Sequence, residues 1–200
     1  MDRFLENVAE PRLVTMTDSR ALRSAVALPL SAVLLVSASP AAASHHGWNT
    51  ASTISRDLVV GAGLGLPLLK GDWHGLEQSA LSIGVAGAAT QGLKYAFPEE
   101  RPDGSSNKSF PSGHTSMSFA AAASLHKRYG WQVGIPAYVL ASFTGVARVK
   151  ADKHYVHDVL AGAVLGEASG WLLTRRHDSK VQWLPWAGTR EAGVALNARF

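Results

Sequence analysis

The sequence predicts an all-α protein, a helical bundle of about five core helices with its chemistry gathered at one end. Three observations carry that expectation. Apolar stretches of helical length follow one another from Ile54 onward. Glycine, proline and short polar runs punctuate them, as loops do. The stretches are rich in alanine and glycine and lack the strict alternation of a half-buried strand.

Composition narrows the function. Two hundred residues point to one domain, and 46% hydrophobic against 17% charged residues is enough to bury a core. A net charge of +4 fits an anionic substrate or a phospholipid surface. The Lys and Arg residues are scattered and no arginine-rich arm occurs, which argues against nucleic acid as a partner. The absence of cysteine excludes disulfides, thiol nucleophiles and zinc–thiolate sites.

The first element is a leader. Arg20 and Arg23 precede the apolar run Ala25–Ala38, and Ala41-Ala42-Ala43 follows. Basic, apolar and small-residue regions in that order predict a signal peptide cleaved before Ser44. Residues 1–43 are therefore expected to be an N-terminal extension plus signal peptide, with Met16 as an alternative start. The protein is expected to be exported, to the periplasm or the cell envelope. An uncleaved anchor is opposed by Pro29 and by the shortness of the run.

Residues 44–178 are expected to form the helical domain. A helix is expected over Ile54–Leu69, with Arg56 and Asp57 near its start and Gly71-Asp72 beyond its end. Gly61, Gly63 and Gly65 imitate a dinucleotide loop, but Leu66 stands where a third glycine belongs and no strand precedes; close helix packing explains them better. A second helix is expected over Leu76–Ala96. The run "FPEERPDGSSNKSFPSG" holds three prolines and two glycines and reads as a loop. Further helices are expected over Ser112–Lys127, over Val133–Val149 with Pro136 in its first turn, and over His154–Arg176. Crossing a membrane takes about 20 mostly apolar residues. Glu77, Gln78, Gln91, Lys94 and Glu167 interrupt these segments. A soluble or membrane-peripheral bundle is favoured over an integral one. In the tail, 179–200, Val181–Ala187 and Gly193–Phe200 flank a Gly188–Ala192 turn and are compatible with a short β-hairpin.

Three clusters carry chemistry. Lys94 stands seven positions before Arg101-Pro102. Pro111-Ser112-Gly113-His114 follows. Arg148 precedes His154 by six positions, and His154 precedes Asp158 by four. A phosphoryl group in transfer spreads negative charge over its oxygens, so it calls for fixed cations and donors. Lys94, Arg101 and Arg148 supply the cations, and arginine's planar fork suits phosphate. Gly113 permits close backbone approach, Ser112 offers a hydroxyl, and a helix N-terminus after Pro111 offers unpaired N–H groups. His154 and Asp158, at i and i+4, are expected on one helical face, where the carboxylate fixes the tautomer and frees the other ring nitrogen.

This three-part pattern resembles the type-2 phosphatidic acid phosphatase superfamily, which includes class A acid phosphatases and vanadium haloperoxidases. That family's pattern is K-x6-R-P, P-S-G-H and S-R-x5-H-x3-D. Ala147 departs from it, in place of the serine before the arginine. The resemblance implies that His154 is a nucleophile forming phosphohistidine, that Asp158 orients it, and that His114 is the general acid. It implies a phosphatase acting on a phosphomonoester or diphosphate, borne on a lipid, without metal or cofactor and inhibited by vanadate. A soluble non-specific acid phosphatase and a vanadium haloperoxidase are the alternatives. His157 is expected to be supporting or solvated.

Overall fold

The computed structural model describes residues 44–177 in full, and the backbone of 181–187 and 192–198. The expected leader and the residues of the tail turn from 188 to 191 lie outside the described residues. Five helices run in chain order: α1 His45–Leu69, α2 Trp73–Ala96, α3 Gly113–Tyr129, α4 Trp131–Lys150 and α5 Val156–Leu173. Two tail strands, β1 Val181–Ala187 and β2 Ala192–Ala198, pair antiparallel with Trp183 opposite Leu196. Ala192, expected in the turn, opens β2.

Most differences from expectation lie at helix starts, where caps decide. α1 begins nine residues before Ile54 because the Ser44 hydroxyl accepts the Gly47 N–H at 3.0 Å. α2 begins at Trp73 because the Asp72 carboxylate caps Gly75 N–H at 3.0 Å. The same carboxylate pairs with Arg128 and accepts the Tyr129 hydroxyl at 2.7 Å, tying the end of α3 to the start of α2. Gly130, with φ of +88°, ends α3, and α4 starts at once. Pro136 therefore lies in the second turn of α4 rather than the first. α5 runs only from Val156 to Leu173, so His154 precedes it, and Arg175-Arg176 lie beyond its last turn.

α3 is the central helix and packs against the other four. Ala120, Ala121, Ala122 and Ala123 are fully buried, as a helix enclosed on all sides requires. Hydroxyls satisfy many of the interior's polar groups: Ser55 donates to Leu140 O at 2.9 Å, Ser169 donates to Ser82 O at 2.7 Å, and Thr90 and Ser116 share a bond at 2.7 Å. The tightest approach is between α3 and α5. A Cβ at Gly166 would sit 2.1 Å from Ser116 O, and one at Gly162 would sit 2.5 Å from Ser112 O. Of Gly61, Gly63 and Gly65, Gly63 meets a neighbour, Ala121 Cβ at 3.1 Å from its Cβ position, while Gly61 and Gly65 face open space. The expected close packing of α1 thus holds at Gly63 alone.

Among the described residues, no helix is long and apolar enough to cross a membrane. Large apolar side chains nevertheless line the outer faces, among them Val139, Val146, Leu160, Val164 and Leu172.

Candidate active site

The loop between α2 and α3 meets the loop between α4 and α5 at one end of the bundle. Asp103 N–H donates to Asp152 O at 3.1 Å, Lys153 pairs with the Asp103 carboxylate, and Ser112 N–H donates to Asp158 O at 3.0 Å. The α2–α3 loop is also braced internally, by Ser109 N–H to Glu99 O at 2.9 Å and Arg101 N–H to Ser106 O at 2.9 Å.

His154 and Asp158 meet there, but not on one helical face. His154 lies two residues before α5 and Tyr155 is the N-cap. Asp158, in the first helical turn, reaches back so that Oδ2 accepts the Tyr155 N–H at 3.0 Å and lies 3.3 Å from His154 Nδ1. A capping geometry therefore aligns the pair. Both side chains are buried. The buried Ser109 hydroxyl donates to the same Oδ2 at 2.5 Å. Burial would raise the Asp158 pKa, but these donors and the imidazole hold it below the ordinary carboxylate value. Burial, followed by the charges of Arg148 and Lys94, keeps His154 well below its usual range, so its resting form is neutral.

Three cations surround the pair. Lys94, in the last turn of α2, donates to Lys108 O at 2.7 Å and Ser109 O at 2.9 Å. Its pKa is lowered to about 8 by burial and then by Arg101. Arg148 is buried; its Nη1 donates to Asn49 Oδ1 at 2.5 Å and lies 3.3 Å from Ser52 Oγ. Its pKa is lowered to about 10 by burial and then by Arg101 and Arg56. Nε of Arg101 and Nε of Arg148 are buried with no acceptor. Like charges packed closely enough to disfavour one another, with unused donors, are chemically suited to an anion.

α3 points its N-terminus into this end, and no side chain caps it. The first-turn N–H groups have no carbonyl one turn back. Gly113 is half-buried, and a Cβ there would make an ordinary 3.5 Å contact with Thr90, so the protein itself leaves room for a side chain. The Ser112 hydroxyl shares a bond with Thr115 at 2.9 Å and is fully buried. His114 follows, with Nε2 lying 3.2 Å from Arg56 Nη1 and 3.3 Å from Thr53 Oγ1. Burial, then Arg148 and Arg56, lowers its pKa to about 3.

All eight expected residues thus converge on one end of the bundle, together with residues that sequence reasoning left unassigned. Asn49, Ser52, Thr53 and Arg56 come from α1, which holds no part of the recognised pattern. Their i, i+3 and i, i+4 spacing is the only sequence signal. Ala147 is buried and offers no polar atom, and α1 supports Arg148 instead. His157, stacked between Tyr155 and Phe110, sets Nε2 at 2.9 Å from Glu99 Oε1 and 3.2 Å from Asp158 Oδ1. Among the described residues, these three form the one His/carboxylate group compact enough for a metal ion. Beside them opens an apolar groove of about 680 Å³, lined by Ala96, Phe97, Pro98, Glu99 and Phe110. It flanks the histidines rather than enclosing them.

Comparison with known proteins follows the same lines. The chain is 40% identical over 101 residues to a lipid A 1-phosphatase of Porphyromonas gingivalis, covering 48% of this chain and 22% of the relative. It is 32% identical over 124 residues to a lipid A 4'-phosphatase of Helicobacter pylori, covering 56% of this chain and 62% of the relative. The matches therefore span less than two thirds of the length of either relative. Two crystal structures share the fold. Aquifex aeolicus LpxE has a TM-score of 0.55 and 22% identity over 64% of this chain and 83% of its own. A transmembrane PAP2-type phosphatidylglycerolphosphate phosphatase of Bacillus subtilis has 0.53 and 28% over 76% and 84%. The PAP2 superfamily model matches residues 76–182, from the first turn of α2 into β1, so every residue of the recognised pattern falls inside it; the chain belongs to the PAP2 superfamily.

Proposed function

We propose that this protein is a phosphatase hydrolysing a lipid-borne phosphate ester through a phosphohistidine on His154. The observation that carries the reading is a neutral, buried imidazole tied through Nδ1 to Asp158 and surrounded by Lys94, Arg101 and Arg148. With Nδ1 engaged, Nε2 holds the lone pair. Nε2 attacks phosphorus, the P–O ester bond breaks, and His114 gives its proton to the leaving oxygen. Asp158 offsets the positive charge on the phosphorylated ring. His114 then takes a proton from water, whose oxygen attacks phosphorus; the P–N bond breaks and phosphate leaves. Lys94, Arg101, Arg148 and the N-terminal amides of α3, from Gly113 onward, hold the phosphoryl oxygens, with Ser112 fixing the turn. The cations supply the charge stabilisation, so no metal or cofactor takes part in these steps.

Three observations support a lipid substrate. The curated relatives are named as lipid A phosphatases. The groove of Phe97, Pro98 and Phe110 opens beside the anion site. The outer faces of α4 and α5 expose Val139, Leu160 and Val164, which suits an envelope-associated protein at a membrane surface. Export through the leader at residues 1–43 belongs to the same reading, and N-terminal sequencing of the envelope-fraction protein tests it: a mature chain starting at Ser44 is expected, and an intact leader on cytosolic protein would contradict it.

The test of activity is phosphate release from a lipid A-type phosphate, phosphatidic acid and an aryl phosphate, with and without detergent, with His154→Ala as blank. Detergent-dependent preference for a lipid, abolished in the variant, is expected. Equal turnover by the variant would refute the mechanism, and preference for the aryl ester without detergent would refute the lipid assignment.

A further inference from the structure

Arg56 and Thr53, one turn apart on α1, face His114, the residue to which the proposed reaction assigns the leaving-group proton. Nε and Nη2 of Arg56 both bond Asp57 Oδ1, at 2.9 and 2.7 Å, which fixes the guanidinium plane. Nη1 is left to point at Nε2 of His114, 3.2 Å away. A guanidinium nitrogen can only donate. Nε2 of His114 is therefore the acceptor, and in this state it carries no proton. A general acid cannot act through a nitrogen whose lone pair is already taken.

No charged group around His114 offers relief, and Thr53 Oγ1, 3.3 Å away, is the one neutral oxygen within reach of Nε2 among the contacts described. The charged and titratable groups that act on it are Arg56 from α1, Arg101 from the α2–α3 loop, Arg148 from α4 and His154 before α5. All are cations or neutral rings. Protonation needs a negative charge from outside and another acceptor for Nη1, and a phosphate ester brings both. The Arg56 side chain is a quarter exposed, so it can shift.

We propose that Arg56, clamped by Asp57, is a positioning residue that keeps Nε2 of His114 without a proton before substrate arrives and passes its Nη1–H to the oxygens of an arriving phosphate ester, so that Nε2 acquires its proton only when substrate is bound. The exchange is balanced. Nη1–H moves from one acceptor to another, Nε2 takes one proton from solvent or from the substrate monoanion, and that proton departs on the leaving alcohol. The kinetic part of this inference rests on the phosphatase reading above; the titration of the unliganded protein does not.

The test uses the full chain in detergent, as wild type, Arg56→Gln and Asp57→Asn. Isotope-labelled histidine follows His114 by NMR against pH, with and without inorganic phosphate. In wild type, phosphate is expected to raise the pH at which His114 titrates. In Arg56→Gln the unliganded protein should already titrate at higher pH, with Asp57→Asn between the two. Loss of one charge-assisted bond should weaken phosphate by about 10- to 100-fold. The alkaline limb of kcat/KM should move to higher pH, more visibly for an alkyl phosphate than for 4-nitrophenyl phosphate, whose leaving group needs no proton. Identical His114 titration in wild type and Arg56→Gln would overturn the inference, as would an unchanged kcat/KM profile for the alkyl ester. Wild-type protein that releases no phosphate, yet shows the Arg56-dependent titration, would refute the phosphatase reading and leave the contact standing.

Discussion

The arrangement around Asp158 makes a specific claim about single atoms. Oδ2 alone receives the Ser109 hydroxyl, the Tyr155 N–H and the His154 ring. Asp158→Asn keeps the size but removes the charge that would stabilise the proposed phosphorylated ring and can present the wrong tautomer, so kcat should fall by at least about 100-fold with KM little changed. Ser109→Ala removes one donor from a buried carboxylate and should cost about 10-fold. Single-turnover kinetics measure both, and an Asp158→Asn enzyme of normal rate would show that the carboxylate does not serve His154. The residues of the pattern were legible because a spacing such as K-x6-R-P survives folding unchanged. Ser109 was not, because a serine in a polar, proline-punctuated run reads only as a loop residue. Arg56 was not, because a neighbouring Arg-Asp pair near an expected helix start carries no mark of what faces it.

The helices themselves were legible from their apolar runs, while their ends depended on single caps. α5 shows the cost of missing one. Read as starting at His154, it places the His154–Asp158 pair by helical periodicity; in the structure a first-turn carboxylate placed the pair by capping Tyr155 N–H. The glycines separate by environment in the same way. Gly166 has Ser116 O where its Cβ would be, so Gly166→Ala must push α3 and α5 apart and should destabilise by about 1–3 kcal/mol or more. Because Gly162 lies against Ser112 O, that shift reaches the N-terminus of α3, and activity should fall with stability. Gly61, in open space, should gain up to about 1 kcal/mol on replacement by alanine. Chemical denaturation compares the two, and equal effects would contradict the packing described. Asp72, which joins the α2 cap to the buried Arg128, is the other sensitive point. Asp72→Ala strands a buried cation and should cost about 3–5 kcal/mol.

For the whole molecule, a bundle that buries two histidines among cations at one end must be sensitive to acid. His114 and His154 are held below the ordinary histidine value of 6.5, His114 at about 3. Between those limits the unfolded chain binds protons that the folded chain does not, so stability falls as pH drops through that window. The depressed carboxyls of Asp72 and Asp158 add a further loss as pH falls below their ordinary value of 3.8. On the proposed reading, added phosphate or vanadate would supply the missing negative charge and stabilise by mass action. Tm should therefore fall from neutral pH to about pH 4.5, and less steeply with either anion present; a flat profile would mean that the histidines are not held neutral. The fold class follows from the small-residue helices, but the meeting of α1 with the site is a tertiary fact that no local pattern encodes. The identity of the nucleophile ties these levels together. Rapid quenching of the enzyme with a ³²P-labelled ester, under the alkaline conditions that preserve phosphohistidine, followed by mapping of the label, decides it. Label on His154, absent from His154→Ala, is the expected result. Label on another residue, or turnover that persists in His154→Ala, would contradict it.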